Sequence, residues 1–156
     1  MNELQKIVAY LCQVYPHKGE LSKSRLTKLV YLADWYSSLV DERQLTDIHW
    51  HFNHYGPYVD DVMSEIVNSP YFTIEQELTV YGSEKYLIKF NGYLDENSIS
   101  SRTKQILNAV IENTKKYFYN DFISYVYSTY PVATRQRYSN LDLVELAKEY
   151  KSTLHA

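Results

Sequence analysis

Leu26-Thr27-Lys28-Leu29-Val30-Tyr31-Leu32-Ala33-Asp34-Trp35-Tyr36 is the stretch that decides the fold. Leu26, Leu29, Val30, Ala33 and either Leu32 or Tyr36 recur at helical spacing, and Leu39 and Val40 extend the same broad apolar face. Ser22 stands where an N-cap is needed, so the spacing predicts a helix over 23–40. Lys23, Arg25 and Lys28 oppose the helix dipole near its start. Solvent exposure is the expected resolution of that mismatch, and a contact surface is the alternative.

On the N-terminal side, Leu4, Ile7, Val8, Leu11 and Val14 form one stripe at i, i+3, i+4, i+7 and predict a helix over 3–15. Pro16 and Gly19 end it. Cys12 flanks the stripe and reads as a small core hydrophobe, because no base or electropositive neighbour is evident to activate a thiolate. As the single cysteine it also excludes an internal disulfide.

On the C-terminal side, Ile48-His49-Trp50-His51-Phe52-Asn53 alternates apolar and polar residues with the period of a half-buried strand. His54-Tyr55-Gly56-Pro57 ends that strand, and a third helix is expected from Pro57 or Tyr58, with Val59, Val62, Met63 and Ile66 as its stripe. Asp60 and Asp61 suit its positive end. Residues 72–80 and 86–90 predict a hairpin. A two-residue turn at Gly82-Ser83 would mix its apolar and polar faces, so an odd-numbered loop is expected. That loop sets Val80 opposite Tyr86, Leu78 opposite Ile88 and Glu77 opposite Lys89, with Leu78, Val80, Tyr86 and Ile88 on one buried face. A helix over 101–118 follows, then a shorter one over 122–129 capped by Asp121 and ended by Pro131. The chain to Asn140 reads as irregular, and Asn140 or Asp142 starts a last helix. The fold class is therefore α+β: one mainly helical domain over 1–156, about five or six helices and a small antiparallel hairpin or sheet.

Composition narrows the function. A formal net charge of −3 lacks the basic footprint of a nucleic-acid binder. No apolar run approaches the ~18–20 residues of a membrane span, and Met1 to Leu11 lacks a secretory h-region, so a cytoplasmic protein is expected. The 17 tyrosines suit half-buried surfaces and interfaces, because the ring packs while the hydroxyl stays wet; compositional bias explains them equally well. Ser22, Ser24, Asp34 and the histidines form no nucleophile arrangement, and four glycines leave little for a phosphate-binding loop. His49 and His51 share one face of the strand, as two imidazole ligands must, while His54 is an odd step away. A metal-dependent hydrolase using His49 and His51 is thus one alternative, and polar residues on a wet strand face are the simpler account. Arg135-Gln136-Arg137-Tyr138 is the one short basic segment interleaved with an aromatic. It suits phosphate, an acidic protein surface, or hydrogen bonding to the carbonyls near the last helix. No cofactor and no metal are expected.

The Leu26–Tyr36 stretch resembles the helix that opens the Panacea domain of SocA-like antitoxins, a Lys-Leu-x-Tyr-x-Ala-x-x-Tyr/Trp type of pattern. Trp50 through His54-Tyr55-Gly56-Pro57-Tyr58 resembles that family's aromatic run into Tyr-Gly-Pro, and the clear likeness covers residues 23–67. A weaker likeness lies at Val126–Pro131. The resemblance implies a non-catalytic antitoxin that neutralises a cognate toxin by binding it. A phage-encoded counter-defence or regulatory protein on the same domain is the alternative, as is a nucleic-acid-binding regulator using Arg135 and Arg137. No extra DNA-binding module is evident, in contrast to longer members. The residues expected to meet the partner are Trp35, Trp50, His54, Tyr55, Gly56, Pro57, Tyr58, Arg135 and Arg137.

Overall fold

The computed structural model describes residues 1–82 and 84–155. Among them are seven α-helices, one three-stranded sheet and one two-stranded sheet, the mainly helical α+β class that the periodicities predict. Helix α1 (Glu3–Val14) is closed at its start by a capping box, in which Asn2 and Gln5 satisfy each other's backbone N–H groups. Helix α2 (Lys23–Asp41) begins under the Ser22 cap, whose hydroxyl accepts from the Arg25 N–H. It is buried on nearly every side, as befits a central helix. Around it pack α1, α3 (Asp61–Val67), α4 (Ser101–Thr114), α5 (Tyr119–Ser128) and α7 (Leu143–Leu154). The remaining helix, α6 (Tyr130–Thr134), links α5 to α7.

Burial on all sides overturns the solvent-exposed reading of Arg25 and Lys28, each only 1% exposed. Arg25 crosses from the start of α2 to the end of α4. Its guanidinium donates to the carbonyls of Thr114 (3.1 Å) and Tyr117 (2.8 Å) and to the Tyr15 hydroxyl (2.7 Å), and it stacks on Phe122. A charge unfavourable at its own helix's N-terminus is favourable at another helix's C-terminus, where the last carbonyls lack partners.

Strand β1 (Trp50–Asn53) is central in the order β2-β1-β5, between β2 (Gly56–Pro57) and β5 (Asn140–Leu141). Gly56 and Pro57 thus pair with Asn53 and Phe52 rather than open a helix, so α3 starts at Asp61 and not at Pro57 or Tyr58. The stretch before Asn140 is also more regular than expected. Pro131 does not end α5 but sits in the first turn of α6, where its missing N–H costs nothing. Helix α4 is shorter than expected, and α5 begins at Tyr119 after Phe118, ahead of Asp121. At the other end, Asp142 caps α7 by accepting from the Glu145 N–H.

The hairpin of β3 (Phe72–Leu78) and β4 (Glu84–Phe90) keeps the expected parity but not the expected register. Ile74, not Leu78, faces Ile88; Gln76, not Val80, faces Tyr86; and Glu77 faces Lys85 rather than Lys89. The anchor is the core end, where Phe72 and Phe90 pack at 5.5 Å between ring centroids and Ile88 is buried. The other end runs past the body of the protein, so Leu78 and Val80 are 74% and 100% exposed instead of buried. Ser83 of the rejected Gly82-Ser83 turn lies outside the described residues.

Candidate partner-binding surface

The turn after β1 is built by one glycine. Gly56 has φ +104°, a conformation that L side chains rarely adopt. A Cβ there would lie 3.0 Å from Cε1 of Tyr127 and 3.4 Å from Cε of Lys28. The backbone therefore presses directly onto α5 and α2, and His54 and Tyr55 are lifted outward over that contact. Beneath the turn, Lys28 donates to the Ser24 hydroxyl at 3.1 Å, and Ser24 in turn meets the Tyr119 hydroxyl at 2.9 Å. Burial pulls the Lys28 amine down to about 8.

The chain returns to this turn some 80 residues later, as the distance between His54 and Tyr138 in sequence shows. The Phe52 N–H donates to the Ser139 carbonyl at 2.9 Å, and the Tyr138 N–H donates to the Phe52 carbonyl. Tyr138 holds φ +71°, an unusual backbone for a bulky residue. Its hydroxyl lies 3.0 Å from Nδ1 of His54, and the His54 ring meets Tyr55 edge-on at 4.5 Å. Arg137 sits over the Phe52 ring at 5.7 Å. Two segments that the sequence offers separately, His54-Tyr55 and Arg137-Tyr138, thus form one patch. Within it Tyr55 is 76% and Tyr138 61% exposed.

The other expected contact residues lie outside this patch. Trp35 and Trp50 are core residues, only 4% and 1% exposed. Trp50 donates its indole N–H to Asp34 at 2.8 Å and meets Tyr31 edge-on. Gly56 and Pro57 are buried and serve the turn, while Tyr58 is half-buried and donates its N–H to the His51 carbonyl. Arg135 turns away to Glu149, with its Nη2 at 3.0 and 2.8 Å from the two carboxylate oxygens. The hydrogen bonds from Tyr130 and Arg135 hold that carboxyl below its ordinary range.

Asp34 enters the sequence reading only as a candidate in a nucleophile arrangement, which misses its structural role although it stands inside the deciding stretch. It accepts from the Leu45 and Thr46 N–H groups, the Thr46 hydroxyl and Trp50, and so ties the 44–50 loop to α2. Burial pushes its carboxyl up to about 6 against those hydrogen bonds. The signal available was a lone carboxylate in a run of apolar residues. Tyr138 was visible only as a neighbour of two arginines, and its partner His54 could not be read from spacing. His51 turns Nδ1 to Asn140 at 3.1 Å, and no group of three His, Cys, Asp or Glu among the described residues is arranged to hold a metal.

The helical scaffold thus fixes a tight turn and lifts aromatic and basic side chains from it. The chain belongs to the antitoxin SocA-like, Panacea domain family, whose match covers residues 26–131. An antitoxin-type function, with a toxin as the general class of partner, follows from that membership. Comparison with curated proteins and with solved structures gives no match. No described helix is long and apolar enough to cross a membrane.

Proposed function

We propose that this protein neutralises a cognate toxin in the cytoplasm by binding it directly, and that the patch of His54, Tyr55, Arg137 and Tyr138 is a contact surface. The observation that carries the reading is the convergence of the two exposed tyrosines on one rigid turn, held together by the His54–Tyr138 contact. Tyr and Arg are the residue types that dominate binding hot spots, and truncating a central one costs about 2 kcal/mol or more of affinity. The scaffold under the patch is already ordered by Gly56, Lys28 and Tyr127, so little conformational freedom is lost on docking. Gly56 and Pro57 act in this reading by shaping the turn, and Trp35 and Trp50 by packing the core.

The test is rescue of cells that express the toxin. Tyr55→Ala and Tyr138→Ala should leave the melting temperature close to that of the wild type and weaken rescue. Arg135→Ala, outside the patch, should rescue normally. If both tyrosine variants rescue fully while folded, the contact surface is not here. If they fail only in proportion to lost folded protein, the tyrosines are architectural.

A further inference from the structure

We infer that the outer edge of β3 is a strand-addition site, which takes an extended, lysine- or arginine-bearing segment of the toxin as a third strand of the hairpin sheet. This rests on the proposed toxin binding and adds a second contact to it. The geometry follows from one hydrogen bond. The Asn91 N–H donates to the Tyr71 carbonyl at 2.7 Å, which makes Tyr71 and Asn91 a bonded pair. Bonded and non-bonded pairs alternate along an antiparallel ladder. In the observed register Thr73, Glu75 and Glu77 therefore bond to β4, and Ile74, Gln76 and Leu78 turn their N–H and C=O groups outward. The far edge of β4 obeys the same parity: the Ile88 N–H points away from β3 and donates to the Leu21 carbonyl at 2.9 Å. Among the described residues nothing similar covers β3, where every residue of the strand after Phe72 is exposed.

Proteins usually blunt such an edge with Pro, Lys, a bulge or a covering segment. The strand Phe-Thr-Ile-Glu-Gln-Glu-Leu contains no Pro, no Lys and no Gly, and it pairs without a bulge. It also carries uncovered apolar surface. Ile74 is 37% and Leu78 74% exposed, and beyond them Val80 and Tyr81 are 100% and 95% exposed at the tip. Exposed apolar side chains beside an open strand edge give an added strand something to pack on.

Charge selects the occupant. A second copy of this chain, added antiparallel about Gln76 so that Ile74 meets Leu78, would set Glu75 against Glu77 twice. Like charges directly opposite each other destabilise a ladder. Within the hairpin, Glu75 has Lys89 at 2.8 Å, whereas Lys85 opposite Glu77 sends its ammonium to the Gly19 carbonyl. A basic strand on the outer side would answer both carboxylates.

Amide hydrogen exchange on the full chain tests this with two synthetic peptides, one alternating valine and lysine and one alternating valine and glutamate. The lysine peptide should slow exchange at Ile74, Gln76 and Leu78 about tenfold or more, and the glutamate peptide should not. Gln76→Pro removes an outward N–H that the hairpin does not use, so it should abolish the protection while Thr73 and Glu75 stay slow. The double variant Glu75→Lys, Glu77→Lys should reverse the peptide preference. No slowing, equal slowing by both peptides, or protection that survives Gln76→Pro overturns the inference. Toxin that co-purifies undiminished with folded Gln76→Pro removes strand addition and leaves toxin binding standing. Toxin that never co-purifies with the wild type removes the proposed function and this occupant with it.

Discussion

Replacing Arg25 by Met isolates the contact that joins the start of α2 to the end of α4. The side chain is 1% exposed, and its guanidinium serves the Thr114 and Tyr117 carbonyls, the Tyr15 hydroxyl and, at 3.5 Å, the Glu20 carboxylate. Met fills much of the same volume and removes the burial cost of a cation. It also leaves the Thr114 and Tyr117 carbonyls without their donor and Glu20 without its nearby cation. Removing one partner of a buried charged set costs about 3–5 kcal/mol, because the stranded groups lose water and gain nothing. For a chain of this size, ~2–4 °C of melting temperature corresponds to each kcal/mol, so a fall of about 6–20 °C is expected. Urea denaturation gives the free energy directly, and its slope checks that the unfolded state is unchanged. Arg25→Lys should recover part of the loss, since one ammonium reaches fewer acceptors than a guanidinium fork. The double variant Arg25→Met, Glu20→Leu should be more stable than Arg25→Met alone, because it removes one stranded charge. If Arg25→Met unfolds within about 1 kcal/mol of the wild type, the α4 terminus is satisfied without it and the reasoning fails.

Further outcomes follow from other buried groups. Gly56→Ala should cost about 1–3 kcal/mol through its positive φ and the 3.0 Å approach to Tyr127, whereas Gly19→Ala, with open space around it, should be neutral; a neutral Gly56→Ala would refute the turn's account. Asp34 has a folded value of about 6 against an ordinary 3.8, so its contribution is fully present below about pH 4 and is lost as pH rises through 6. Relative to Asp34→Asn, the wild type should thus lose about 3 kcal/mol between pH 4 and pH 7 in urea titrations, at about 1.4 kcal/mol for each pH unit separating the folded and unfolded values; parallel curves would contradict this. Burial pushes the Cys12 thiol up to about 12, so iodoacetamide should label it only as fast as the protein opens, and rapid labelling of folded protein would show that α1 is not packed as described.

How much of this was legible depends on the range of each interaction. The stripes of α1 and α2 and the cap at Ser22 are local and read directly from spacing, and spacing narrowed the start of α7 to Asn140 or Asp142. Hairpin parity was legible as well, because it depends only on which residues alternate. Its register was not, since the Phe72–Phe90 anchor is set by the core and not by maximal burial of the hairpin's own apolar residues. Arg25 misled for the same reason. Its partners at Thr114 and Tyr117 lie about 90 positions away, and only folding brings that helix end within reach. At the candidate surface, the sequence marked both segments but not their junction. Trp35 and Trp50 looked like anchors by residue type, and the fold places them in the core.

The turn at Gly56 divides labour between backbone and side chains. The glycine's fit against Lys28 and Tyr127 sets the path of the chain, while the exposed side chains of His54 and Tyr55 lie outside that fit. The Arg137-Tyr138 loop is likewise attached through main-chain bonds to Phe52, indifferent to most side-chain identities. A frame of this kind accepts new letters at four outward positions without being rebuilt. If those positions meet the toxin as proposed, partner choice can be rewritten one residue at a time, with the fold as a constant page beneath the changing text.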